Sequence, residues 1–290
     1  MKGGYSSKAN QLRALLAGDQ IVRAMGAHNG LTARLAERAG FEAIWASGLE
    51  ISASHALPDQ SLLSMTQFLD AAESMDAATR LPIIADCDTG FGGPLNVAHT
   101  VRSYERRGIA AICIEDKTFP KINSLAAAAQ ELIPLVDFAE KIASGKRAQQ
   151  TEDFALIART EALVAGEDVD EALKRAVAYC EAGADAIVVQ SKSQQPKEIL
   201  EFAARWPRKD VPLSAVPTTY GSIHEDELHA AGFGVVIYAN QGLRGAIRGI
   251  SATLAMLARS GRVRAVEDQI VPMSEVFELQ GMTAKFDTRA

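Results

Sequence analysis

Ala39-Gly40-Phe41-Glu42-Ala43-Ile44-Trp45 is the stretch on which the fold turns, because its pattern returns three times. The later copies are Arg107-Gly108-Ile109-Ala110-Ala111-Ile112-Cys113, Ala182-Gly183-Ala184-Asp185-Ala186-Ile187-Val188 and Ala231-Gly232-Phe233-Gly234-Val235-Val236-Ile237. Each reads as a helix end, a glycine that stops the helix, and a short apolar strand. Four more apolar runs, Ile21 to Ala27, Leu81 to Ala85, Phe154 to Ala158 and Val211 to Val216, bring the predicted strands to eight. Helical patterns fall between them: Leu31 to Ala39, Met65 to Ala78, Leu95 to Arg107, Leu135 to Ile142, Asp168 to Ala182, Pro196 to Arg205, Glu225 to Ala231 and Gly242 to Ala258. Alternation of this kind marks a parallel α/β fold.

Polar residues decide between an open sheet and a barrel. Ser47, Asp86 with Asp88, Glu115 with Asp116, Arg159 with Glu161, Gln190, Thr218 and Asn240 lie at or just past the ends of seven different strands. A barrel gathers such ends on one mouth, whereas an open sheet spreads them along a line at ~4.8 Å per strand. The sequence therefore predicts an α/β fold of the (β/α)8 TIM-barrel type, one domain over residues 1–290. An amphipathic lid helix is expected at Lys8 to Ala17, with Leu12, Leu15 and Leu16, stopped by Gly18. Residues 261–290 form a C-terminal helical extension, whose Val276, Phe277 and Leu279 need a partner surface.

With 290 residues, 48% of them apolar, the chain can bury one large core. A net charge of −6 without a lysine or arginine run argues against nucleic acid and anionic membranes, and for a small-molecule partner. No apolar run approaches the ~20 residues that span a bilayer, and Met1 to Asn10 is too polar for a signal peptide. Three cysteines without a C-x-x-C pair fit a reducing compartment, the cytoplasm.

Chemistry concentrates in two places. Ile83-Ile84-Ala85-Asp86-Cys87-Asp88-Thr89-Gly90-Phe91-Gly92-Gly93 is a buried strand that ends in two carboxylates and a glycine-rich turn. By alternation Asp86 and Asp88 project together, suiting a divalent cation, while Cys87 points into the core. The plainer alternative makes Asp88 a helix cap and Asp86 a salt-bridge partner. After the fourth strand, Glu115-Asp116-Lys117-Thr118-Phe119-Pro120-Lys121-Ile122-Asn123-Ser124 reads as a gate. Lys117 and Lys121 can neutralise a phosphoryl-sized anion, with Thr118 and Asn123 as neutral donors. For either lysine alone an exposed, idle position is the default. His28, at the end of the first strand, is read as a structural hydrogen-bonding residue near the mouth.

These motifs, with Trp45-Ala46-Ser47-Gly48-Leu49, Asp59 and Ala158-Arg159-Thr160-Glu161-Ala162, resemble the phosphoenolpyruvate mutase/isocitrate lyase superfamily over nearly the whole chain. The resemblance implies Mg²⁺, or Mn²⁺ or another divalent cation in its place. Asp86 would hold it most directly, and Asp59, Asp88 and Glu115 through waters. It implies a substrate site formed by Trp45, Ser47, Gly48, Leu49, Asp86, Lys117, Arg159 and Gln190. Catalysis would fall to Thr118, Lys121, Asn123, Arg159 and Asp59. It further implies tetramers that exchange the C-terminal helix. Carbon–carbon lyases of the superfamily carry a gate cysteine that this loop lacks, so lyase and oxaloacetate decarboxylase activities rank below the branch acting on phosphonopyruvate. Thr118 and Gln190 stand where mutases have leucine and histidine, so hydrolysis to pyruvate and phosphate is expected, with the mutase reaction as the alternative. A barrel that only binds a carboxylic acid is disfavoured because the four acids are all present.

Overall fold

The computed structural model describes residues 7–282. Eight parallel strands close in sequence order into a barrel: β1 (Val22–Ala27), β2 (Ala43–Ala46), β3 (Ile83–Asp86), β4 (Ala111–Glu115), β5 (Ala155–Thr160), β6 (Ala186–Val189), β7 (Leu213–Ala215) and β8 (Phe233–Tyr238). The seam is made by β8 against β1, with Ala24 opposite Ile237. The helices of this unit are α1 (Lys8–Leu16), α2 (Gly30–Arg38), α3 (Gly48–Ser54), α4 (Met65–Ala78), α5 (Pro94–Arg106), α6 (Leu135–Ala148), α7 (Ala162–Ala165), α8 (Val169–Glu181), α9 (Lys197–Arg205) and α10 (Glu225–Ala230). All eight strands predicted from the repeat and the apolar runs are present.

The repeat has a local cause. Gly40, Gly108, Gly183 and Gly232 each sit at positive φ, between 80° and 107°, just past a helix. In the first three copies the next N–H reaches back to the last turn: Phe41 to the Ala36 carbonyl (3.2 Å), Ile109 to Tyr104 (3.2 Å) and Ala184 to Tyr179 (2.9 Å). A glycine there reverses the chain at no steric cost and launches the strand.

Strand alternation then sorts side chains into two layers. Trp45, Ile84, Cys113, Ile157, Val188, Val235 and Ile237 fill the barrel. Ile44, Ile83, Ile112, Leu156 and Val236 pack outward against the helices, together with fully buried Cys87. Helix α1 closes the end where the strands begin. Its Leu12 is buried among the inner side chains, Arg13 donates to the Phe154 carbonyl (2.7 Å) and Asp185 (2.9 Å), and Lys8 to the Thr79 carbonyl (2.8 Å).

Two short helices, α3 and α7, were not foreseen, and α6 runs past its expected end at Ile142 to Ala148. Gly145 looks like a stop in the sequence but is a fitting device. A Cβ there would come within 2.7 Å of Leu156 and 3.1 Å of Val97, so the glycine lets α6 lie close to β5 and α5.

By compactness the chain divides into Met1–Asn240 and Gln241–Ala290. The second unit contains α11 (Gln241–Ser260), two 3-10 turns at Val263–Ala265 and Glu267–Gln269, and α12 (Met273–Leu279). Residues 283–290 of the expected extension, and 1–6 of the polar N-terminus, lie outside the described residues. Among those described, no helix is long and apolar enough to cross a membrane.

The seam generates a test. A Cβ on Gly26 would lie 2.6 Å from the Ala239 carbonyl oxygen and 2.8 Å from Glu50 Oε1, and the former is backbone that must shift. Gly26→Ala should therefore cost about 1–3 kcal/mol, read as a lower urea midpoint at unchanged m. An unchanged midpoint would mean that the seam is looser than these distances state.

Candidate active site

The strand ends converge as the barrel requires. Trp45, Ser47, Leu49, Asp59, Asp86, Lys121, Asn123, Ser124, Leu125, Arg159, Gln190, Val216, Thr218 and Asn240 line one cavity of about 50 Å³. That is room for a few waters. Lys121, Asn123, Ser124 and Leu125 of the gate, residues 117–134, form part of its wall.

Asp86 ends β3 with its carboxylate fixed by backbone: Asp88 N–H donates to Oδ1 (3.2 Å) and Gly48 N–H to Oδ2 (3.3 Å). Gly48 opens α3 behind the cap Ser47, whose Oγ accepts from the Glu50 N–H at 3.3 Å. Strand alternation ends at Asp86, yet Asp88 still joins it because its backbone turns to φ 51°. A Cβ on Gly48 would lie 3.0 Å from Asp86 Oδ2 and 3.4 Å from Asp88 Oδ1, which places both oxygens around one point. The plainer reading, in which Asp88 caps the next helix, fails: the cap of α5 is Gly93.

Three cationic side chains answer these acids. Lys121 Nζ sits 2.9 Å from Asp88 Oδ1 and 3.2 Å from Asp59 Oδ1, and Asn123 Nδ2 donates to Asp59 Oδ2 at 2.6 Å. On the other side, Arg159 Nε meets Glu161 Oε1 (2.5 Å) and Glu115 Oε2 (3.4 Å), while its Nη2 donates to Ser124 (2.9 Å) and Gln190. Lys117 Nζ lies between Glu161 (3.1 Å) and Glu115 (3.4 Å) and donates to Ser124 Oγ (2.7 Å) and the Ile122 carbonyl (2.9 Å). Both gate lysines are buried, at 2% and 4% exposure, against the default for a loop lysine. Desolvating a charge is costly unless it is paired, so these contacts hold the gate down.

The charges tune one another. Burial pushes Asp86 up to about 6, with Lys121 pulling it down and Asp88 and Glu115 pushing it further up. Burial likewise raises Asp88. Glu115 is also buried, but Lys117, Lys121 and Arg159 outweigh that and hold it at about 2. Burial would lower Lys121, yet Asp88, Asp59, Glu115 and Asp86 raise it well above the usual lysine value. Asp59 Oδ1, Asp88 Oδ1 and Glu115 Oε1 are buried and face lysine ammonium groups, Lys121 at 3.2 and 2.9 Å and Lys117 at 3.4 Å. Clustered hard oxygen donors held against positive charge fit Mg²⁺ or Mn²⁺. Among the described residues, no three acid, histidine or cysteine side chains are close enough to ligate a metal unaided. An arrangement with Asp86 as the direct ligand and the others acting through waters accommodates both facts.

A model of the family described as phosphoenolpyruvate phosphomutase matches residues 12–258. The chain belongs to this family, within the phosphoenolpyruvate mutase/isocitrate lyase superfamily. It is 45% identical to the phosphonopyruvate hydrolase of Variovorax sp. (strain Pal2), over 95% of each chain. A crystal structure of phosphoenolpyruvate phosphomutase from Streptomyces platensis subsp. rosaceus superposes with a TM-score of 0.93 at 52% identity, covering 94% of this chain and 95% of that one. A phosphonopyruvate hydrolase complexed with oxalate and Mg²⁺ superposes at 0.90 with 44% identity, covering 95% of both.

Of the predicted site residues, Thr118 stands apart. Its side chain is exposed and outside the cavity lining, and its N–H pairs with the Glu131 carbonyl (2.9 Å) in the gate's stem. His28 makes its structural bond, Nδ1 to Glu50 Oε2 at 2.9 Å. Asp116, read beside Glu115 as a mouth acid, faces the helix layer instead. It accepts from Tyr179 OH (2.6 Å) and the Glu161 N–H (2.8 Å) and pairs with Arg175 (3.3 Å). Glu161, Ser124 and Ser61 were not assigned site roles in advance; the strand-end position of Glu161 was the available signal. Ser61 offered none.

Asp116, in the helix layer behind the mouth, carries a pH signature of its own. Burial pushes its carboxyl up to about 6 against the Tyr179 hydroxyl, the Glu161 N–H and the Arg175 charge. An unfolded aspartate titrates near ~3.9. Between those values the native state holds a proton that the unfolded chain has released, so this group's contribution to stability falls as pH rises from about 4 to 6. Asp116→Asn should remove that slope, seen as a flatter curve of urea midpoint against pH than the parent's across the same window.

Proposed function

We propose that this chain hydrolyses 3-phosphonopyruvate to pyruvate and phosphate, with Mg²⁺ or a similar divalent cation bound through Asp86. The observation that carries the reading is the small cavity at the strand ends, with a carboxylate cluster and two buried gate lysines paired to it. The likeness to the Variovorax hydrolase supports it, as does a gate without cysteine.

The P–C bond breaks when the leaving carbon departs as the enolate of pyruvate. The metal, when bound, supplies positive charge where that enolate oxygen develops. Asp86 would hold the ion, with Asp59, Asp88 and Glu115 acting on it through bound waters. Arg159, fixed by Glu161, Ser124 and Gln190, binds the pyruvate end with Ser47, Gly48, Leu49 and Trp45. Lys117, Lys121 and Asn123 position the phosphoryl group; transfer through a loose transition state needs positioning more than covalent help. Thr118 would orient the attacking water only after the gate shifts from the position described; Gln190, already inside, is the next candidate.

The mutase reaction is the second reading, favoured by 52% identity to the Streptomyces phosphomutase. Phosphorus NMR of phosphonopyruvate with enzyme and Mg²⁺ separates them. Hydrolysis yields phosphate, whereas conversion mainly to phosphoenolpyruvate would overturn it. Excess EDTA should abolish turnover. Asp86→Ala should do the same while leaving the urea midpoint near the parent's, because residues at this barrel face serve the site rather than the packing. Thr118→Leu should slow phosphate release on the order of 10²-fold and Thr118→Ser should not; equal rates in all three would move the water-orienting role to Gln190.

We further infer one barrel domain over residues 1–290, with 261–290 as an extension exchanged in a homotetramer. Ile247, Ile250 and Leu254, each more than half exposed on α11, support this, because such a stripe asks for cover. A monomer by light scattering would refute it. Buried free Cys87, Cys113 and Cys180 support a cytoplasmic location.

A further inference from the structure

Ser61 belongs neither to the gate nor to the barrel wall, yet its hydroxyl joins them. It lies on the segment between α3 and α4 that also carries Asp59, held at φ 55°. Its Oγ donates to Asp88 Oδ2 at 2.9 Å and accepts from the Lys121 backbone N–H at 3.2 Å. Asp88 is thus held on both oxygens. Lys121 Nζ takes Oδ1 directly, and the gate backbone reaches Oδ2 through Ser61.

A hydroxyl has one proton to give. Once it is given to Asp88, the lone pairs face the incoming gate, and the set is complete only when the gate is shut. We propose that Ser61 is a positioning residue that couples gate closure to the orientation of Asp88. This rests on reading residues 117–134 as a gate over the active site. Lys121, Asn123, Ser124 and Leu125 form one wall of the cavity, so a phosphonate that enters past this loop must displace Lys121 and with it the Lys121–Ser61–Asp88 relay. While the gate is up, Ser61 alone still holds Asp88 in place for the next closure.

Trypsin reads the gate directly, because cleavage after Lys121 requires that buried side chain to leave the acids. In the full-length protein, with and without Mg²⁺, Ser61→Ala should raise the rate of cleavage between Lys121 and Ile122 by about 2- to 10-fold, the range for one hydrogen bond. Ser61→Gly should match it. Glycine relieves the left-handed backbone while alanine does not, so equal effects assign the change to the hydroxyl. In an Asp88→Asn background the same substitutions should change the rate less, since the relay is already weakened. Cleavage at the parental rate would overturn the proposal. So would acceleration spread over all tryptic sites, or a fall in urea midpoint large enough to account for it, either of which makes Ser61 a structural residue only. The assay uses no substrate, so failure of the hydrolase reading and failure of this coupling are seen separately.

Discussion

Everything at the mouth depends on buried charges that cannot stand alone. Asp59 comes from a loop, Asp86 and Asp88 from the end of β3, Glu115 from β4 and Glu161 from just past β5, and each is at least nine-tenths buried. Carboxylates that close together repel one another and lose their hydration, so the cluster persists only because Lys117, Lys121 and Arg159 are driven in among them. Two of those three cations ride on the gate. The barrel's rigidity fixes where the negative charge sits, and that negative charge fixes where the loop rests. Pre-organisation of this kind is what electrostatic catalysis needs, since the donors are aimed before the reaction begins.

The gate is anchored as well as attracted. Lys117 pairs with Leu132 in an isolated antiparallel bridge, with Thr118 N–H on the Glu131 carbonyl and Ile133 N–H on Asp116 at 2.9 Å each. Arg175 on α8 ties both ends of this stem together, touching Asp116 (3.3 Å) and donating to the Ile133 carbonyl (3.1 Å). The stem keeps its hydrogen bonds while the tip carries Lys121 and Asn123. Asp116 therefore serves the stem, adjacent in sequence to Glu115 but on the other side of the barrel wall.

The fold was legible because its determinants are local. A glycine that ends a helix and starts a strand announces itself within seven residues, and four copies fix the alternation. The convergence of polar residues at strand ends was legible for the same reason. What escaped was set by distant partners. No loop lysine can be known to be buried until acids from other strands are brought to it, and Gly145 reads as a breaker until Leu156 and Val97 arrive beside it. Alternation foretold the pairing of Asp86 with Asp88, but the turn at Asp88 achieves it by a left-handed residue that the sequence did not flag. Ser61 lacked any signal because its role lies in two bonds to segments 27 and 60 residues away.

The stopper at the other end of the barrel has a practical side. Helix α1 seats Leu12 into the strand-start end and ties Arg13 and Lys8 to the rim there, so α1 lies at the opposite end of the barrel from the gate. A surface tether or reporter fused ahead of α1 would leave the gate free to swing.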